Sequence, residues 1–360
     1  MKTMKRKGTM SRPQMVAVAC ALGLVGPAVA AHEPGRGRRP SEAIDSGVSF
    51  LVRHQHPSGA FVVEHCGSAA MDRDCGEELT VAGAIIVLYA LRHVGGPAAE
   101  ALRQRTAAFL RAEQTPQGVW RYLARAEPGY TRHPPDLDDT AIAALALSQA
   151  GAALPGHAEG LLAYRNAAGL FPTWVADADP GADPEIAASL TGPLQDVDCA
   201  VNAHVLSYLA SRGLEPAPVC SYLKALAEQG LPLECSIYYP RREALAYAWS
   251  RAYASGATCL ADVTLALRQA LLQARDPQGR WGDALHTALA ITSLLQLGHD
   301  PADLAPAVAW LLQVQDERGA WSRQPYFFAP RINWWHGSAE VTTAFVLEAL
   351  SAFQRASLVQ

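Results

Sequence analysis

Residues 136–139 read Asp136-Leu137-Asp138-Asp139, followed by Thr140 and Ala141, and crowd three carboxyl groups into four positions. Carboxylates this close cannot all ionise: repulsion and burial raise the pKa of at least one, which then keeps its proton and can deliver it into an apolar cavity. That is the equipment of a general acid. A helix start also wants such residues for a plainer reason. Asp and Thr there accept free backbone N–H groups and complement the helix dipole, each worth about 1 kcal/mol. Capping uses one carboxylate per helix, so it does not account for the run.

Four other places repeat the pattern of a polar residue at or just before a Thr- or Cys-initiated apolar run: Glu78-Leu79-Thr80, Asp198-Cys199, His286-Thr287 and Glu340-Val341-Thr342. Glu78, Asp198, His286 and Glu340 are therefore expected to share one end of the fold with Asp136, Asp138 and Asp139. Between Asp196 and His204, Asp198 and Asn202 stand one helical turn apart and share a face, which should line any site there. A disulfide at Cys199 would make that residue structural instead. Trp174, Tyr238, Tyr239, Trp334 and Trp335 supply aromatic faces able to stabilise a positive charge, with core packing as the ordinary alternative for each.

The elements that must hold these residues come from an internal repeat in which Gln, a turn, Gly and an aromatic recur. The copies are Gln55-His56-Pro57-Ser58-Gly59-Ala60-Phe61, Gln114 to Gly118-Val119-Trp120, Gln273 through Asp276-Pro277-Gln278-Gly279-Arg280-Trp281, and Gln315 to Gly319-Ala320-Trp321. Each ends an amphipathic helix, and Gly or Pro marks the exit. The helices that follow, over residues 80–91, 140–149, 200–211, 287–297 and 342–353, are apolar nearly all round, as an inner ring packed on both sides requires. Trp174 closes a worn copy, and Cys235 to Pro240 replaces another. Six hairpins result. The pattern predicts an all-α (α/α)6 barrel over residues 43–356, with an open superhelical stack of hairpins as the rival arrangement.

Residues 1–31 read as a signal peptide: Lys2, Lys5, Arg6, Lys7 and Arg12 precede an apolar run, and Ala28, Ala30 and Ala31 offer a cleavage site. A linker over 32–42 carries Arg36, Arg38 and Arg39, which either meet anionic lipid at a membrane surface or solvate the N-terminus. No later segment is apolar and long enough to span a bilayer. Losing five basic and no acidic residues takes the formal charge from −4 to −9, which argues against a nucleic-acid partner. Six cysteines then remain (Cys66, Cys75, Cys199, Cys220, Cys235 and Cys259), an even number that suits disulfides in a secreted or periplasmic protein. Spacing alone selects no pairing, although Cys66 and Cys75 could staple one loop.

The Gln-turn-Gly-Trp signature resembles the QW repeats of triterpene and class II terpenoid cyclases, whose toroid is shared by protein prenyltransferase β subunits. Asp136 to Asp139 is similar to the Asp-X-Asp-Asp motif of those cyclases. The resemblance implies protonation of an isoprenoid alkene without metal or organic cofactor. It assigns the general acid to Asp138 and its support to Asp136 and Asp139, with an isoprenoid or other apolar small molecule in the central cavity. This chain holds one toroid where such cyclases usually join two. Three other functions fit the same fold. One is a non-catalytic extracytoplasmic toroid holding a lipid or peptide. Another is a prenyltransferase-like zinc enzyme using Asp196 or Asp198, Cys199 and His286. The third is a carbohydrate-active barrel with carboxylates such as Glu78, Glu340 or Asp138 as acid and base.

Overall fold

The structure, a computed structural model, describes residues 38–175 and 196–358. The expected signal peptide lies outside the described residues, as does the expected linker up to residue 37. The rest of that linker is ordered: Arg38 donates to Ser46, Arg39 pairs with Glu42, and Pro40 already begins the first helix.

Twelve α-helices among the described residues alternate between two roles. The odd-numbered helices α1 (Pro40–His54), α3 (Pro97–Glu113), α5 (His157–Leu161), α7 (Ala217–Glu228), α9 (Thr264–Gln273) and α11 (Pro301–Gln313) keep exposed polar positions. The even-numbered helices are α2 (Val81–Ala90), α4 (Leu137–Gln149), α6 (Cys199–Ser211), α8 (Arg242–Ala254), α10 (Ala284–Gln296) and α12 (Ala339–Ser357). These are buried along most of their length, Ala, Leu and Val filling many of their positions. Each even helix packs on the next, and α12 packs back on α2, so the two ends of the series meet.

The aromatic turns tie the two sets of helices together. Trp120, Trp281 and Trp321 are all but fully buried, and each indole N–H donates to a carbonyl of the preceding odd helix: Leu110 at 2.7 Å, Leu271 at 2.7 Å and Leu311 at 2.8 Å. Their backbone N–H groups donate to Thr140, Thr287 and Thr343 on the following even helix, at 3.0, 3.1 and 3.2 Å. The worn third copy ends at Phe171 rather than at Trp174. Asn166 closes that turn with the backbone bonds that Asp276 makes in a later copy, and Gly169 (φ 78°) occupies the left-handed position of Gly279 (φ 82°). Phe171 N–H then donates to Asn202 Oδ1 at 3.0 Å. Asn202 is the fourth residue of its helix, as Thr140 and Thr287 are of theirs, and serves as their counterpart. Trp174 is thereby released from the core.

A small antiparallel sheet departs from the all-α expectation. Its strands β1 (Phe61–Cys66), β2 (Gly76–Thr80), β3 (Phe327–Ala329) and β4 (Trp334–Gly337) lie in the order β2-β1-β4-β3. Phe61, read above as the last residue of a turn signature, opens β1, where Val62 and Val63 favour a pleated strand. Gly337 is required: a Cβ there would fall 1.9 Å from the Gln324 carbonyl oxygen. Three disulfides, Cys66–Cys75, Cys199–Cys235 and Cys220–Cys259, account for all six cysteines. The first closes the loop between β1 and β2, and the second makes Cys199 structural. No helix among the described residues is long and apolar enough to cross a membrane.

Candidate active site

The helix that carries the acidic run begins at Leu137, three residues earlier than the sequence pattern places it. Asp136 is therefore the cap, accepting from the Asp139 N–H at 2.7 Å, and Asp138 and Asp139 stand in the first turn of the helix. Four other even helices are capped by Thr80, Asp198, Asp283 and Ser338. Capping is thus the common arrangement, and the surplus carboxylates at α4 are what distinguish it.

Those carboxylates face a cavity of about 1060 Å3, counting its open mouth. One wall is apolar, from Ala82, Ile85 and Ile86 of α2 and Ile142 of α4. The sheet adds Phe327, Phe328, Trp334 and His336, and Trp174, Tyr238, Tyr239 and Tyr326 complete an aromatic surround. Trp174 donates its indole N–H to the Tyr238 hydroxyl at 2.9 Å, and Tyr238 in turn donates to Asp196. Such a lining stabilises positive charge by the negative faces of its rings.

Asp138 is held from across the cavity. His204 of α6 contacts one carboxylate oxygen through Nδ1, and the Tyr239 hydroxyl donates to the other. Burial pushes the Asp138 carboxyl up, but the His204 charge and hydrogen bond, with the Tyr239 bond, outweigh it and hold the group below its ordinary value. Its neighbours behave oppositely. Burial, then the charges of Asp139 and Asp138, drive Asp136 well above its usual range. Burial and the Asp138 charge push Asp139 up to about 8. Crowding and burial thus raise Asp136 and Asp139, whereas Asp138, the residue to which the resemblance assigns the proton, is held low instead. The physical reason is His204: a partner 66 positions away in sequence reverses the effect of crowding at Asp138.

A second polar group lines the cavity on the sheet side. Tyr122 lies with its hydroxyl 3.1 Å from His336 Nδ1, and Glu78 lines the same side. Burial and the Glu127 charge raise Glu78 to about 7, and burial depresses His336 to about 3.

Of the residues singled out from sequence, Asp136, Asp138, Asp139, Glu78, Trp174, Tyr238, Tyr239 and Trp334 line the cavity. Asp198, Asn202, His286, Trp335 and Glu340 are not among the lining residues. Asp198 caps α6 and accepts from Ser236 and Ile237, and Asn202 holds Phe171. His286 pairs with Asp283 at 2.7 Å. Trp335 alternates in β4 with the lining residues Trp334 and His336 and packs at a tilt on Phe328. Glu340 sits in the first turn of α12, past the Ser338 cap. A zinc site using Cys199 is ruled out, because its sulfur is bonded to Cys235. His204, Tyr122, Tyr326, His336 and Arg251 line the cavity, and all but His204 do so without belonging to any motif in the sequence pattern. His204 has a sequence signal only as the end of the Asp196 to His204 stretch.

No family model matches the sequence, and no curated protein matches it. Solved structures do. The type II terpene cyclase MstE from Scytonema superposes with a TM-score of 0.67 at 18% identity, over 89% of this chain and 98% of that one. A variant of the same cyclase in complex with geranylgeranyl dihydroxybenzoate gives 0.69, again at 18% identity, over 88% of this chain and 98% of that one. The ent-copalyl diphosphate synthase of Streptomyces platensis gives 0.53 at 19% identity, over 76% of this chain and 50% of that longer one. The chain shares its fold with these terpene cyclases, and at this identity the likeness speaks for the fold alone.

Proposed function

We propose that this protein is a class II terpenoid cyclase, a single (α/α)6 toroid that begins cyclisation by protonating an isoprenoid alkene, with Asp138 as the general acid. The observation that carries the reading is the set of three carboxyls at the start of α4, opening on an aromatic cavity, with Asp138 bonded to His204 and Tyr239. An alkene is a very weak base, so its protonation demands a strong acid. Hydrogen bonds that stabilise the Asp138 carboxylate supply that strength. The Asp136–Asp139 pair, which burial keeps protonated, sits beside it as the source of the next proton.

In the first step the proton leaves Asp138 and forms a C–H bond at the alkene carbon that leaves a tertiary cation. Neighbouring double bonds then close rings by attack on that cation. Loss of a C–H proton restores an alkene and ends the reaction. The rings of Trp174, Tyr238, Tyr239 and Phe327 supply negative faces along this path. The bound isoprenoid of the related cyclase agrees with this choice of substrate class. The three disulfides and the expected signal peptide favour a secreted or periplasmic location.

The test is mass spectrometry of lipids extracted after incubating the purified protein with squalene and with C15 to C30 prenyl substrates, beside an Asp138→Asn control. A cyclised product that the control lacks supports the reading. An isoprenoid bound unchanged in both samples would make the protein a carrier instead.

A further inference from the structure

Resting on the cyclase reading, we propose that the sheet side of the cavity is a head-group subsite for an uncharged isoprenoid alcohol, formed by Glu78, Tyr122 and His336. Tyr122 places its hydroxyl 3.1 Å from His336 Nδ1 and so fixes that ring. Nε2 of His336 and Oε2 of Glu78 are buried without a hydrogen-bond partner, in residues that line the cavity, and His65 Nδ1 stands 3.7 Å from that Glu78 oxygen, too far for a hydrogen bond. Native proteins pair such atoms. A ligand hydroxyl, which both donates and accepts, can answer the carboxylate oxygen and the imidazole nitrogen in either tautomer.

A diphosphate does not. It brings only acceptors and several negative charges, for which proteins provide arginine forks, lysines or bridging cations. The charged side chains lining the cavity, among the described residues, are Glu78, the three aspartates and Arg251. Arg251 lies on α8, stacked over the Tyr89 and Tyr247 rings at 5.2 and 4.8 Å, and acts on Asp138 rather than on Glu78. Arg323 is paired with Glu64, and Arg331 at the β3–β4 turn has a partner of its own. Among the described residues, the cavity holds no set of three carboxylate or histidine ligand atoms within 4.8 Å of one another, the arrangement a bridging cation would need.

The experiment is titration of the intact protein with geranylgeraniol, geranylgeranyl diphosphate and the parent hydrocarbon in one detergent, read by quenching of tryptophan fluorescence. The alcohol should bind at least about tenfold more tightly than the diphosphate, a ratio that one or two unmet hydrogen bonds would produce. Tyr122→Phe and Glu78→Gln should each weaken the alcohol at least about fivefold while leaving the hydrocarbon within about twofold. Diphosphate binding as tight as the alcohol's, binding of neither, or equal losses for alcohol and hydrocarbon in both variants would overturn the subsite. Turnover reports separately. A cyclised diphosphate would preserve the cyclase reading and sink this one, and a tightly bound alcohol that is never cyclised would do the reverse.

Discussion

The starts of α4 and α10 are built to one plan and put to different ends. Each is capped by an aspartate, Asp136 or Asp283, and each offers a threonine, Thr140 or Thr287, to the backbone of a buried tryptophan. Each also has a carboxylate bonded to a histidine. At α10 that pair is local: the cap Asp283 holds His286, three residues on, and neither lines the cavity. At α4 the cap is left to Asp136, and the surplus Asp138 reaches across to His204 and Tyr239 inside an aromatic chamber. What sets α4 apart is a carboxylate beyond those that capping consumes, with an apolar space in front of it.

The comparison breaks most visibly with paired substitutions. Asp138→Asn should lower the cyclisation rate at least about 1000-fold, roughly 4 kcal/mol of transition-state stabilisation, while Asp283→Asn stays within about threefold of wild type. Comparable rates for the two variants would show that α4 is merely another capped helix.

Tryptophans sharpen the same contrast. Trp281→Ala removes a buried indole that ties an odd helix to an even one, and should cost about 3 kcal/mol in denaturant unfolding. Trp174→Ala should cost about 1 kcal/mol or less, yet change the product mixture, because its indole faces the cavity rather than the core.

The pH dependence follows from Asp139. Its carboxyl, raised to about 8, keeps a proton in the folded protein that the unfolded chain releases near pH 4. That contribution to stability is complete below about pH 4 and is lost as the pH rises through about 8. If Asp136 and Asp139 reload Asp138, the rate should fall about tenfold per unit above pH 8, and the residual activity of Asp139→Asn should lack that limb. The smallest expected effect is that of Thr287→Ala, about 1 kcal/mol of stability with unchanged products, measured by thermal unfolding and product analysis.

Much of this arrangement was legible because it is periodic or local. The Gln-turn-Gly-Trp copies announced the helix alternation, and Asp136 to Asp139 announced the acid cluster four positions long. Phe171 is hidden in the sequence because its turn uses Asn166-Ala167-Ala168-Gly169, with neither the Gln nor the Trp of the other copies, so the pattern points to Trp174 as its end. Asn202 looked like a site residue because a buried amide tying a turn to a helix has the same sequence signature as a ligand. His204 and His336 draw their roles from partners 66 and 214 positions away, Asp138 and Tyr122, which spacing cannot reveal. The sheet was missed because β1 and β4 are brought together only when the first and last helices of the series meet.

The central claim is that a proton from the protein enters the substrate carbon skeleton. The most direct measurement is the mass of the cyclised product formed in D2O from unlabelled geranylgeraniol. Deuteronation at one carbon and loss of hydrogen at another predict a cyclic isomer heavier than the substrate by about one mass unit, with the label fixed in a ring. A cyclic product without deuterium, or labelled equally by Asp138→Asn, would contradict acid initiation at α4.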